Sequence, residues 1–257
     1  TPERVHTAPL NPLVSPLLTD INQVAMAIGH YQNGRAELRA TFELFFRRNP
    51  FGGEYTVFAG LEECIKLLAS FKFTQEQITY LKGVPMFSQV DSGFWEWLAG
   101  VDCSTVKVHA CAEGTIVFPR IPLLLLEGPQ ALLLLLETPL LNAVNYPSLV
   151  ATNATRFRVS AGADARLYEF GLRRAQGPDG GTSASRYAYM GGFDATSNAL
   201  AGHLCDIPLH GTMGHAFIQA FTSRHDLKTT LLVGPPPQKQ EFDFLSLVLA
   251  LRDELGW

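Results

Sequence analysis

Residues 121–141 read IPLLLLEGPQALLLLLETPLL, and the fold turns on whether this leucine-rich run crosses a membrane or lies in a globular core. A spanning helix needs about 20 consecutive apolar residues. Here Glu127, Gly128, Pro129 and Glu137 cut the run into much shorter apolar pieces. The pattern predicts a buried strand followed by a buried helix, and no membrane partner.

Composition agrees with a core. The 257 residues are 47% hydrophobic and 17% charged, with 17 Phe, 7 Tyr and 3 Trp, which is apolar material enough for one large or two modest domains. With 20 basic against 24 acidic residues the net charge is −4, so no global field recruits nucleic acid, although a local anion pocket is compatible. Cys64, Cys103, Cys111 and Cys205 show no CxxC spacing, and such sparse usage suggests reduced thiols in the cytosol. The start, TPERVHTAPLNPLVSPLLTD, has no basic segment ahead of an apolar run, so no signal peptide is expected, and the Asn153 sequon is expected to be idle.

Outward from the leucine run, residues 1–15 read as a leader and 16–140 as an N-terminal α/β domain. Helices are expected at 17–34, 61–71, 73–83 with Thr74 as cap, and 87–100. ATFELFFRR (40–48) and EYTVFAG (54–60) read as a strand and its returning partner, and 104–128 alternates again. Residues 141–257 read as helices with short linking strands, the pattern of an α/β layer or barrel. There, 166–176 is expected to end a helix, 182–194 to form another stopped by Gly191-Gly192, and 207–211 to be a short strand. Thr212 is expected to cap a further helix. Residues 231–244 read as a linker before a last helix. No internal repeat is evident.

Three stretches carry candidate chemistry. GLRRAQGPDGG (171–181) pairs Arg173 and Arg174 with a glycine-rich turn. Cations at a helix end complement its dipole, but planar guanidinium groups also bind carboxylates and phosphates. Phe170, just before them, is either a core residue or a ring that stacks on a planar ligand. GGFDATSN (191–198) places Asp194 where it could cap a helix or face a ring nitrogen or ribose hydroxyl. IPLHGTMGH (207–215) sets Thr212 and His215 at a helix start, where a phosphate could bind or the histidine could simply pack. His203, His210 and His215 match no metal-ligand spacing, so no protein-held metal is expected. P-loop, GxGxxG, GxSxG and HExxH patterns are absent.

The order LLTDINQVAMA, FELFFRRNPFGG, LLETPLLNAVNYPSLVATNATR, GLRRAQGPDGG, YMGGFDATSNALAG and GTMGHAF resembles the nicotinate phosphoribosyltransferase family over nearly all of residues 16–222. The resemblance implies coupling of nicotinate to 5-phosphoribosyl 1-diphosphate, forming nicotinate mononucleotide and diphosphate in NAD salvage. ATP is hydrolysed in support, with Mg²⁺ (or Mn²⁺) as cofactor. It also implies an N-terminal α/β domain on an irregular α/β barrel, and a cytosolic homodimer with shared sites. Under it, Arg173 lies near the pyridine carboxylate and phosphoribosyl group, with Arg174 and Thr212 beside the substrates. Phe170 stacks on the ring, Asp194 approaches the base, and His215 is the histidine phosphorylated by ATP.

Three departures stand against that pattern. Asn22 occupies the position of a base-stacking tyrosine, Ala216 that of a hydroxyl residue, and the family's later barrel strands are missing. A truncated, spliced or partial chain is therefore expected. The alternative is a non-catalytic homologue acting as a dimerisation partner or pseudoenzyme. Nicotinamide- or quinolinate-using enzymes fit GLRRAQGPDGG and GTMGHAF less well.

Overall fold

A computed structural model describes residues 9–228, 231–233, 241–243, 246, 250 and 254. The chain forms two compact units, Thr1–His210 and Gly211–Trp257.

The leucine run does what its punctuation predicts. Leu124–Pro129 is strand β5 and Gln130–Ala161 is helix α5; the other elements are numbered in chain order around them. β5 is the centre of an antiparallel sheet, flanked by β1 (Arg39–Leu44) and β3 (Lys107–Ala110). Leu44 pairs with Leu124 and Arg39 with Pro129, while Lys107 pairs with Glu127. The pleat sends Leu124 and Leu126 into the core and Leu125 and Glu127 the other way. Leu132, Leu133, Leu135, Leu136 and Leu140 of α5 are buried in the same core. Around it stand α1 (Ile21–Gln32), α2 (Leu61–Ser70), α3 (Gln75–Lys82) and α4 (Ser92–Gly100). Thr74 caps α3 in a capping box with Gln77, as its position predicts. No described helix is long and apolar enough to cross a membrane.

EYTVFAG does not return along β1. Its strand β2 (Thr56–Val57) pairs with β4 (Ile116–Val117) instead, and β1 stays at the edge of its own sheet beside β5. The free edge of β2 lies against α5. Thr152 Oγ1 accepts from the Val57 amide at 2.8 Å, and Ser148 Oγ accepts from the Ala59 amide at 3.1 Å. Two buried hydroxyls, one turn apart on a helix, thus satisfy backbone donors that no strand reaches. Gly60, which follows, sits at φ +100° against the Ala143 carbonyl, an approach that a side chain would block.

α5 runs through the expected domain boundary at 140/141 and carries Pro139 and Pro147 within it. A short parallel layer follows: β6 (Tyr168–Glu169) beside β7 (Ala195–Thr196), with Leu209 bridged in parallel to Thr196. α6 (Gly177–Met190) and α7 (Ala199–Cys205) complete this part. The fold is mixed α/β, an α/β domain followed by the opening of a parallel strand–helix layer.

The leader is partly docked, since the Leu10 amide donates to Glu63 at 3.0 Å and the Asn11 side chain donates to Asp179 at 3.0 Å. Residues 1–8 of it lie outside the described residues, as does most of the expected final helix. The second unit holds α8 (His215–Gln219) and an antiparallel pair, β8 (Leu231–Val233) and β9 (Glu241–Asp243). The segment read as a linker therefore contains a strand pair.

Candidate functional site

The stretch around the arginine pair departs from expectation. Residues 166–176 do not end a helix: they comprise β6 and a 3-10 turn, Leu172–Arg174. GPDGG is no terminal turn either, for it opens α6. Gly177 at φ +81° turns the chain, Pro178 occupies the first turn where its missing N–H costs nothing, and Asp179 complements the dipole. Gly181 then lets the 3-10 turn pack on the helix, because a Cβ there would stand 2.6 Å from Leu172 Cδ1. Gly191 ends α6 as expected.

Arg173 and Arg174 are both exposed. Neither guanidinium is hydrogen-bonded or ion-paired to another described residue. Phe170, half-buried, stacks on Tyr168 with centroids 5.8 Å apart, and Tyr168 stacks in turn on His210 at 4.6 Å. These rings share one face of β6, since residues two apart point the same way. The intervening Glu169 points to the other face, where Ser185 of α6 and Thr196 of β7 donate their hydroxyls to it at 2.8 and 2.7 Å. Phe170 and Ser197 leave the C-terminal ends of two parallel strands, the end at which open α/β layers bind ligands.

Asp194 sits at the opposite end. It precedes β7 and accepts from Arg158 at 2.6 Å, Arg166 at 3.1 Å and the Leu167 amide at 2.8 Å. The Leu167 amide first, then the two arginines, hold its carboxyl below the ordinary value. Asp194 is not the cap of α7 either: Asn198 is, accepting from the Leu200 and Ala201 amides. Its carboxylate is spent on closing the strand starts, away from Phe170.

Asn22 is exposed on α1. His215, exposed, is the first residue of α8 in the second unit. Thr212 lies three residues before that helix and makes no capping bond among the described residues, so the expected cap is not formed.

Sequence reasoning passed over a second arginine pair and a buried polar cluster. Arg47 and Arg48 line an open cleft of about 1160 Å³, together with Phe45, Phe46, Asn142 and Asn145. The doublet RR was the available signal, in the motif FELFFRRNPFGG. The cluster of Glu169, Ser185, Thr196 and Asn198 had none, since serine, threonine and asparagine look alike in caps and in networks. Tyr146, on α5, donates to the Gly180 carbonyl at 3.4 Å. Burial, then the charges of Glu169 and Asp179, raises its phenol above the ordinary value.

A parallel strand–helix layer presenting an aromatic ring and guanidiniums that pair with no other described residue suits an enzyme that takes a planar, anionic ligand. Comparison with known proteins sharpens this class. Residues 17–145 match a family model described as the nicotinate phosphoribosyltransferase (NAPRTase) N-terminal domain. Nicotinate phosphoribosyltransferase 1 of Arabidopsis thaliana is 51% identical over 95% of this chain and 44% of that protein. Nicotinate phosphoribosyltransferase of Homo sapiens is 51% identical over 80% of this chain and 38% of its own length. The crystal structure of human nicotinic acid phosphoribosyltransferase superposes with a TM-score of 0.78 at 44% identity, covering 93% of this chain and 48% of that one. A nicotinate-nucleotide pyrophosphorylase from Pyrococcus furiosus, 24% identical with a TM-score of 0.61, shares the fold. The chain belongs to the nicotinate phosphoribosyltransferase family. It spans less than half the length of the curated relatives it matches.

Proposed function

We propose that this chain supplies the base-binding part of a nicotinate phosphoribosyltransferase, which joins nicotinate to 5-phosphoribosyl 1-diphosphate and releases diphosphate with ATP hydrolysis. The observation that carries the reading is the exit of β6, where Phe170 and Arg173–Arg174, which pair with no other described residue, stand within four residues at the C-terminal end of a parallel strand. Nicotinate needs a ring to stack on and a cation for its carboxylate, and Phe170 and Arg173 provide both. Displacement at the anomeric carbon passes through an oxocarbenium-like state, so catalysis consists mainly of positioning and of neutralising the departing diphosphate. Arg174 and the cleft arginines Arg47 and Arg48 add positive charge for that cosubstrate. Asp194, which the resemblance sets near the base, is held by Arg158, Arg166 and the Leu167 amide and enters this reading as support for the strand starts.

His215 is the proposed phosphate acceptor from ATP, and Thr212 its neighbour at the substrates. Among the described residues no group of three or more His, Cys, Asp or Glu stands together to hold a metal ion. Mg²⁺ or Mn²⁺ belongs to this proposal as the companion of the substrate phosphates. A cytosolic homodimer completes the reading, and the four free cysteines are consistent with a reducing compartment.

The test is an assay of the purified chain with nicotinate, the diphosphate cosubstrate, Mg²⁺ and ATP, beside a full-length relative. Nicotinate mononucleotide from both supports the enzyme reading. Nicotinate binding without turnover supports a second reading, a non-catalytic partner, which the exposed Asn22 in place of a base-stacking tyrosine favours. Absence of both binding and turnover in this chain overturns the assignment of a base site to β6.

A further inference from the structure

Glu169 lies between the two residues whose rings stack, and its own side chain goes elsewhere. One carboxylate oxygen accepts from the Gly171 amide, the first backbone donor after Phe170. The other accepts from Ser185 Oγ at 2.8 Å and Thr196 Oγ1 at 2.7 Å. Ser185 and Thr196 are 1% and 0% exposed, so these hydroxyls have no water to turn to. Each has one proton. With an anion beside it, that proton goes to Glu169, because charge-assisted bonds are the stronger ones. The hydroxyl oxygens are then left to accept.

Asn198 supplies what they accept. Its side-chain nitrogen donates to Ser185 Oγ at 3.2 Å and its backbone amide donates to Thr196 Oγ1 at 3.0 Å. This fixes the amide orientation of Asn198, leaving its oxygen to cap α7. The Ser197 amide closes the circuit by donating to the Glu169 carbonyl at 3.0 Å. One carboxylate therefore sets the donor direction of a cluster that joins β6, β7, α6 and α7 just where Phe170 and Ser197 emerge. A neutral residue at 169 would weaken that pull and let the Ser185 proton turn to the Gly181 carbonyl, 3.0 Å away, and the Thr196 proton to Ser185 Oγ, 3.3 Å away.

We infer that Glu169 is a positioning residue, whose carboxylate locks the exit of β6 so that Phe170 and Arg173 are held ready for the ligand. The inference rests on the proposed base site, and it acts through backbone geometry, since Glu169 faces away from the rings. Order before binding matters because each side chain that must be fixed on binding subtracts from affinity.

The experiment compares Glu169→Gln, Glu169→Ala and Ser185→Ala in the 257-residue chain by amide hydrogen exchange, thermal melting and calorimetric titration with nicotinate. Glutamine keeps the size and one acceptor but not the charge. Expected for Glu169→Gln are a melting temperature within a few degrees of the parent, exchange at Gly171 faster by about tenfold or more, and nicotinate affinity weaker by a similar factor. Glu169→Ala should be worse in both, so that glutamine appears as a partial rescue. Unchanged Gly171 exchange and unchanged affinity in Glu169→Gln overturn the inference. So does a loss of affinity that only tracks a loss of melting temperature. Should both Glu169 variants fail to fold, Ser185→Ala decides: it removes one donor to the carboxylate and must also speed Gly171 exchange, and equal exchange refutes the lock. If the parent itself does not bind nicotinate, the base-site reading fails, while the ligand-free exchange still decides whether Glu169 holds the strand exit.

Discussion

Arg158, in the last turn of α5, reaches across to Asp194, and the two meet at 2.6 Å at the start of β7. The same guanidinium donates to the carbonyls of Gly162, Ala165 and Gly192. Asp194 also takes the Leu167 amide and Arg166. One ion pair thereby gathers the end of α5, the entrance of β6 and the entrance of β7. It closes the N-terminal end of the parallel layer, opposite the C-terminal end where Phe170 and Ser197 emerge.

Asp194→Asn is accordingly expected to lower the melting temperature without weakening nicotinate binding by more than its effect on folding. The pH dependence has a definite sign. The folded carboxyl lies below its ordinary value of 3.8, so its stabilising contribution is complete above that value and is lost as pH falls through the depressed folded one. The difference in melting temperature between parent and variant should be full near pH 7 and shrink below about pH 4. A constant gap down to the acid end would show that the charge is not the source.

Arg186 clamps α6 to α2. It donates to Glu63 at 3.0 Å and pairs with Glu62, while Lys66 holds both carboxylates from within α2. Burial pushes the Glu62 carboxyl up, but Lys66 and Arg186 outweigh it and leave the group below its ordinary value. Lys66 is only 7% exposed, so removing Arg186 leaves charge poorly matched in a half-dry place. Arg186→Met should cost roughly 1–3 kcal/mol in urea unfolding, discounted from a fully buried pair because Glu62 is half exposed. A loss under about 0.3 kcal/mol would mean that solvent already serves these groups.

How much of this could be read from the chain depends on the range of each signal. The IPLLLLEGPQALLLLLETPLL run was legible because turn residues and hydrophobic length are local, and so was the Thr74 cap. The pairing of β2 was not, since EYTVFAG next to a strand and a turn looks like a hairpin, and its true partner β4 lies about 60 residues further along the chain. GPDGG was misread because glycine and proline punctuate both ends of helices, and only the strand before it shows which end this is. Phe170 and the arginine pair were singled out from residue type, and Asp194 from the family resemblance; its ties to Arg158, Arg166 and the Leu167 amide were not legible, because those partners lie 27 to 36 residues away. Glu169 gave no sign, because a carboxylate's role here is decided by Ser185, Thr196 and Asn198, up to 29 residues away.

Gly181→Ala separates helix preference from packing. Alanine favours a helix over glycine by about 1 kcal/mol, so stability alone could rise. The new methyl would meet Leu172 Cδ1 at 2.6 Å and Ala175 Cβ at 3.4 Å, pushing the 3-10 turn off α6. The expected result is weaker nicotinate binding, by about tenfold, with a melting temperature equal to or above the parent's. Equal binding would show that Leu172 yields without moving the arginines.

Arg173 and Arg174 should not be equivalent. In a 3-10 turn, successive side chains point about 120° apart, so two neighbouring guanidiniums on Leu172–Arg174 cannot both address one carboxylate. Both are exposed and neither is tied to another described residue, so replacing either with alanine should leave the melting temperature within about 1–2 °C. Binding should separate them. Arg173→Ala is expected to weaken nicotinate affinity by about tenfold or more at any ionic strength, as loss of a charge-assisted contact does. Arg174→Ala should cost about threefold or less for nicotinate and fade at high salt, since an uncontacted charge acts through a screened field. Titrations of both variants at two salt concentrations give the answer. Equal, salt-sensitive losses would assign the pair to a general field at the mouth of the site, with neither arginine in contact with the base.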